Sequence, residues 1–223
     1  MSRSVGRGLG RTRSGRGVLG TSVPVLGLIG PIGCGKSTVA GWLAQEGAAV
    51  LDADELTRRA MEPGAPLTDT IVARFGAEFR RPDGGIDRAA LGRLVFSDPG
   101  RLAELESIVH PAVERLERDA IRAADIRRPP AIVLEAIKLV EAGHATWCDE
   151  IWLVTCDPRT QLERLVGRGM ALEDARQRVA AQSGSMPLWR SAATRTIRTD
   201  GSPDEVRAVV ERAFAELRGT AVL

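Results

Sequence analysis

The chain has no run of the roughly 18 to 20 apolar residues that a bilayer-spanning helix requires, and its first residues lack the apolar central segment of a secretory signal. A soluble, cytoplasmic protein is the expectation. Its three cysteines, Cys34, Cys148 and Cys156, form no CxxC pair and show no cysteine-histidine metal spacing, which argues against a disulfide framework or a zinc site and for reduced thiols. Internal repeats and heptad arrays are missing too. Of the 31 basic residues, Arg3, Arg7, Arg11, Arg13 and Arg16 fall within the first sixteen positions, and the remainder are outnumbered by 29 acidic residues. The body therefore lacks the excess of positive charge that a nucleic-acid binder uses to displace counterions. Neither a nucleic-acid nor a membrane partner is expected, and the sequence leaves the oligomeric state open.

A length of 223 residues with 43% hydrophobic side chains is enough for one sizeable core with an inserted lobe, and too little for two ordinary domains. Arginine, glycine and serine dominate residues 1–22, whose apolar surface is too small to offset the entropy of ordering them. They read as a disordered arm, or as the product of a misplaced start codon, ahead of a domain over residues 23–219. From Val23 onward, apolar runs at 23–29, 48–51, 131–134 and 151–155, and a weaker one at 196–199, alternate with helical patterns. Continuous apolar runs suit strands buried on both faces, and helices between them suit parallel crossovers, so the fold class is α/β. Asp157-Pro158 predicts a capped helix start, and Ser202-Pro203 with Glu205 predicts a capping box ahead of an apolar face of Val206, Val209, Val210, Ala213 and Phe214. Between the second and third strands, residues 55–124 read as a helical insertion broken at EPGAP, RPDGG and SDPG. A second helical excursion covers residues 168–193.

Gly30, Pro31, Ile32, Gly33, Cys34, Gly35, Lys36 and Ser37 match G-x-x-x-x-G-K-[ST] between a predicted buried strand and a predicted helix. Glycines at those places let the backbone curl until successive N–H groups point at phosphate oxygens, and the helix N-terminus adds partial positive charge. Gly30, Ile32, Gly33, Cys34, Gly35, Lys36, Ser37 and Thr38 are thus candidate triphosphate contacts. Lys36 would reach the β- and γ-phosphates, and Ser37 would offer a hydroxyl to Mg²⁺. Cys34 reads as a small filler, and Trp42 and Leu43 as core.

Moving a phosphoryl group needs a carboxylate that orients the attacking hydroxyl and a metal that bridges the phosphates. Asp52 and Asp54 end the second strand, at the sheet edge where open α/β folds bind ligands. Their spacing of two points them the same way if the strand continues. Asp52 fits either a metal site or a helix N-cap; Asp54 is the better candidate for chemistry. Glu135, ending the third strand, fits either the metal's water shell or a solvated strand end. Arg58 shares a helical face with Asp54, and Arg164 and Arg168 share another that leads into the second excursion; each is either solvated or aimed at an anion. A lid carrying such arginines onto the transferring phosphate would exclude water. His110, before Pro111 at a helical junction, is either a hinge or a site residue.

Together these residues resemble the dephospho-coenzyme A kinase family over nearly everything from Val25 to Phe214. The opening Gly27, Gly30, Ile32, Gly33, Gly35, Lys36 and Ser37 match its G-x-x-G-x-I-G-x-G-K-[ST]. Asp52, Ala53, Asp54 and Arg58 match its D-A-D-x-x-A-R, with Thr57 replacing alanine. Further matches are EPGAP, RFGAEF, IDRAALGRLVF, LESIVHP and DPRTQLERLVGR. The resemblance implies a nucleoside-monophosphate-kinase-like, three-layer P-loop fold with a parallel five-stranded sheet. It also implies MgATP as donor and the ribose 3′-hydroxyl of dephospho-coenzyme A as acceptor. Asp54 would then be the base, Arg58 and His110 would lie near the acceptor, residues 55–124 would form its lobe, and Arg168 would belong to the lid. Two departures stand out. Lys138 occurs where the family has P-L-L-x-E, and Thr194 stands where an aspartate is expected, which leaves Arg190 as a replacement for lid function. Other readings of the cradle are a nucleoside monophosphate kinase or another small-molecule P-loop kinase, and a non-catalytic nucleotide-binding regulator.

Overall fold

Alternation within the central strand explains why its apolar run is unbroken. In β1 (Val25–Ile29), Leu26 and Leu28 enter one core while Val25 and Ile29 enter another on the opposite face. The computed structural model describes residues 19–220. Around β1 lie β2 (Ala49–Asp52), β3 (Ile132–Glu135), β4 (Glu150–Thr155) and β5 (Arg195–Arg198), all parallel in the order β2-β3-β1-β4-β5. The expected strands are all present, within two residues of their predicted ends.

One face carries α1 (Lys36–Gln45) and α9 (Pro203–Thr220), whose Val39, Leu43, Val206, Val210, Phe214 and Leu217 meet Trp152 and Val154 of the sheet. The capping box at α9 forms as expected: Ser202 N–H donates to Glu205, and Glu205 N–H donates back to Ser202 Oγ. Its apolar face is shifted, however. Val209 is 46% exposed and Leu217 takes part in the core instead, because 3.6 residues per turn carry position 209 to the flank. The opposite face packs the end of α5 (Pro99–Ile126), α8 (Met186–Ala192) and the short 3₁₀ turn His144–Trp147.

The insertion is helical, as predicted. It comprises α2 (Ala53–Arg59), α3 (Pro66–Phe75), a 3₁₀ turn, α4 (Arg88–Phe96) and α5. Ile71, Phe75, Leu91 and Val95 give it a core of its own, against which Ile108, Val109, Ala112 and Val113 of α5 pack. Farther along the same helix Ile121 and Ala124 enter the sheet core, so one helix joins the two cores. The expected junction at His110–Pro111 does not interrupt it: Pro111 lies inside the helix. Its ring faces solvent, so the Ser107 carbonyl that loses an N–H partner is on the water side, while packing continues on the buried side.

The last helices, α6 (Pro158–Gly167), α7 (Leu172–Ser183) and α8, follow β4. Asp157 holds the N-cap position of α6 without a side-chain cap bond; Arg198, near its carboxylate, offers the alternative partner. The arm boundary also moves. Residues 1–18 lie outside the described residues, but residues 19–22 of the expected arm lie on the body. Leu19 packs on the sheet core and Thr21 is buried. Ser22 N–H and Oγ and Val23 N–H all donate to Asp125 at the end of α5, and these bonds hold its carboxyl below the usual aspartate range, against the opposing effect of desolvation. Asp125→Ala should lower the unfolding free energy by about 1–2 kcal/mol, seen as a lower urea midpoint with unchanged slope. An unmoved midpoint would show that apolar packing alone holds this segment.

Candidate active site

The cradle lies between β1 and α1, pressed against the end of β4. A Cβ at Gly30, where φ is +143°, would meet the Val154 carbonyl oxygen at 2.2 Å, so no other residue fits. Gly33 and Gly35 take φ of +79° and +87° and complete the curl. α1 starts from Gly35 with no capping side chain and no acid in its first turn, the arrangement that favours an anion.

Lys36 is buried, and its Nζ donates to the Gly30 carbonyl at 2.8 Å. Burial lowers its pKa; Glu135, Asp54 and Asp52, in that order, push it back up. The negative charge of all three candidate carboxylates thus favours its ammonium form. Asp52 and Glu135 are register partners across β2 and β3, and Ser37 Oγ donates to Glu135 Oε1 at 3.0 Å. The strand does not continue to Asp54: β2 stops at Asp52, whose Oδ1 accepts Glu55 N–H at 3.0 Å as the N-cap of α2. The N-cap reading of Asp52 is the one the structure shows, with one oxygen capping and the other carrying no cap bond. Asp54 instead lies in the first turn of that helix, exposed. Among the described residues no cluster of three or more His, Cys, Asp or Glu forms a metal cage. The donor set suits Mg²⁺, which binds through few protein oxygens and completes its octahedron with phosphate and water.

Beside the cradle opens a cavity of about 240 Å³, lined by Gly35, Thr38, Trp42, Arg164, Arg168, Thr199, Gly201, Pro203 and Val206. It accounts for Thr38 and Arg168, and it changes the reading of Trp42, which packs on the core while also walling the cavity. Thr199 and Gly201 were not legible as site residues, since no motif marks the turn after β5. For Trp42 the only signal was its helical spacing of four from Thr38. Arg164 is committed: its guanidinium donates to Thr199 Oγ1 at 2.9 Å and to the Thr199 carbonyl at 2.6 Å. Thr199 Oγ1 in turn donates to the Cys34 carbonyl at 2.9 Å. Cys34 is buried. The Cys156 thiol beside it favours its thiolate, against desolvation, and Cys156 is held protonated by the same contact.

Other expected residues lie elsewhere or are otherwise engaged. Arg58 pairs with Glu55 at 2.6 Å rather than with Asp54, since a spacing of three on the short α2 brings Glu55 nearer. His110 is exposed on α5, within the insertion. Arg190 lines a separate cavity of about 610 Å³ behind Pro31, with Leu153, Cys156 and Arg198, away from the smaller space beside Gly35. Neither cavity is lined by the three carboxylates around Lys36; the smaller adjoins the cradle at Gly35 and the start of α1, the larger at Pro31. Lys138 is exposed beyond β3. Of the second excursion, α8 is anchored: Trp189 is buried and its Nε1 donates to Glu141 at 2.9 Å. Thr194, replacing the expected aspartate, takes Ile151 N–H on its Oγ1 at 3.0 Å.

A parallel sheet with a glycine-curled anion cradle, a buried lysine and strand-end acids defines a P-loop kinase. The sequence pattern of the family described as dephospho-CoA kinase matches residues 24–203. Two similar proteins, both named dephospho-CoA kinase, come from Symbiobacterium thermophilum and Geobacter sulfurreducens. The first is 44% identical, covering 85% of this chain and 80% of the relative; the second is 41% identical, covering 86% and 98%. This chain belongs to the dephospho-CoA kinase family. Among solved structures, TT1252 from Thermus thermophilus superposes with a TM-score of 0.74 at 34% identity over 87% of this chain and 98% of that one. The dephospho-CoA kinase from Campylobacter jejuni, at 21% identity, shares the fold with a TM-score of 0.67 over 87% and 97%. The family excludes the regulatory and nucleoside monophosphate kinase alternatives. No helix among the described residues is long and apolar enough to cross a membrane.

Burial raises the Glu135 carboxyl above its ordinary 4.5, against the opposing pull of the Ser37 hydroxyl and Lys36. A raised carboxyl keeps its proton to higher pH, so its charge is lost, as pH falls, above the ordinary glutamate range. Ser37→Ala removes a hydrogen bond that favours the carboxylate and should move the acid limb of the kcat/KM profile farther upward. A limb that stays in place would detach Glu135 from the titration.

Proposed function

We propose that this kinase transfers the γ-phosphoryl group of ATP to the ribose 3′-hydroxyl of dephospho-CoA, giving CoA and ADP, with Asp54 as the base and residues 55–124 as the acceptor lobe. The observation that carries the reading is the cradle itself, where buried Lys36 and a Ser37 bonded to Glu135 stand beside the paired ends of β2 and β3, two residues before Asp54, which supports a carboxylate near the end of a bound triphosphate. Cradle N–H groups and Lys36 hold the phosphates, and Arg164, through Thr199, fixes the wall of the nucleoside cavity. Ser37 and Glu135, with the free oxygen of Asp52, would hold Mg²⁺, which when bound neutralises phosphate charge. Asp54 accepts the proton of the 3′-hydroxyl as that oxygen bonds to the γ-phosphorus and the bond to the ADP oxygen breaks. Arg168, on the turn between α6 and α7, is placed to meet charge on the equatorial oxygens as that turn closes over them. Arg58 and His110 are proposed acceptor contacts from the lobe, and the setting is cytoplasmic.

The test supplies MgATP with dephospho-CoA, AMP, adenosine and shikimate in separate assays and records ADP release, which should accelerate only with the first. Asp54→Asn should then cut kcat by about 10² to 10⁴, while ATP affinity, followed through Trp42 fluorescence, changes less than about threefold. Near-normal turnover in that variant would remove Asp54 from the chemistry.

A further inference from the structure

Ile32 sits inside the cradle, yet both polar groups of its backbone are taken by side chains from distant parts of the chain. Its N–H donates to Gln182 Oε1 of α7 at 2.8 Å, and its carbonyl accepts Gln161 Nε2 of α6 at 2.7 Å. Backbone polarity fixes both amides: an N–H demands an acceptor and a carbonyl demands a donor. Gln161 is 5% exposed and Gln182 half-buried, and both also line the cavity of about 610 Å³ behind Pro31. The helices they come from are joined by residues 168–171, which include Arg168. α6 and α7 thus form a hairpin whose base grips one cradle residue through both of its flanking peptides and whose tip carries an arginine beside the smaller cavity. Apolar packing is already supplied at this junction by Leu165, which lies 3.0 Å from the Cβ position of Gly33, so contact alone does not call for two amides.

We propose that Gln161 and Gln182 are positioning residues for phosphoryl transfer. They set the tilt of the two peptide planes that flank Ile32, the second of which carries the Gly33 N–H, and so the aim of the N–H groups that follow, and they tie the Arg168 hairpin to the cradle. The inference rests on reading the cradle as the triphosphate site and is independent of the acceptor.

Methionine at either position keeps the length and removes the hydrogen bond; glutamate separates the two roles. At position 182 a carboxylate still accepts the Ile32 N–H, whereas at position 161 it sets oxygen against oxygen. Gln182→Met and Gln161→Met should each lower kcat/KM for ATP by about tenfold, with KM for dephospho-CoA within about twofold. Gln182→Glu should outperform Gln182→Met, and Gln161→Glu should fall below Gln161→Met. A general charge effect or a packing role would give the same order at both positions. MgATP binding to the purified chain, read by Trp42 fluorescence without acceptor, should weaken in parallel. A wild type that binds MgATP but releases no ADP with dephospho-CoA would overturn the functional reading and leave this one standing. Wild-type kcat/KM for ATP in both methionine variants, or the same order at both positions, overturns the clasp. If the Gln161 variants fail to fold, Gln182→Glu performing no better than Gln182→Met overturns it alone.

Discussion

A buried ammonium is the constraint around which the site is organised. Removing Lys36 from water is costly unless its charge is compensated and its protons are bonded. The Gly30 carbonyl supplies the bond at 2.8 Å, and it is available because Gly30 lies so close to Val154 that the loop turns back over the lysine. Glu135, Asp54 and Asp52 supply the opposing charge. That supply follows from strand order: β3 lies between β1 and β2, so the ends of β2 and β3 come together beside the start of α1. A different order would leave the lysine with its carbonyl and little else. The acids have reciprocal needs, since Glu135, burdened by burial, is relieved by Lys36 and Ser37.

The mobile parts implied by phosphoryl transfer must be attached to this centre without being frozen by it. The insertion is attached through α5, whose first half packs in the lobe and whose end packs under the sheet. Pro111, between the two halves, removes one backbone bond on the solvent side. The second excursion is attached differently. Its α8 end is part of the core, with Trp189 buried and bonded to Glu141, and its α6 and α7 base is bonded to Ile32. The turn at residues 168–171 between α6 and α7 carries none of these anchors.

Much of this was legible in the sequence because local chemistry dictated it. Continuous apolar runs had to be doubly buried strands, and G-x-x-x-x-G-K-S between a strand and a helix had to be a cradle. What failed was legible only in three dimensions. The spacing of Asp52 and Asp54 suggested a strand pair, but Asp52 caps α2 and ends the strand itself. Pro111 promised a break that packing on its buried side overrode. Thr199 and Gly201 belong to no motif, and the fold alone brings the end of β5 against the cradle through Arg164.

The departures from the family pattern fall where hydrogen bonding, rather than reactivity, is at stake. Thr194 replaces an expected aspartate, yet its hydroxyl accepts the Ile151 N–H and donates back to the Ile151 carbonyl, which a carboxylate would only half accomplish. The change thus ties the entry of β5 to β4 and leaves the cradle untouched. Likewise, Ile137 and Lys138 alter the start of the segment after β3 while Glu141, which fixes α8 through Trp189, is retained. Thr194 and Glu141 thus keep their polar groups paired, whereas Lys138 is exposed. At Gly30 the Val154 carbonyl of β4 leaves no room for a Cβ, and at Lys36 the Gly30 carbonyl holds a buried ammonium, so neither position has latitude for a substitution.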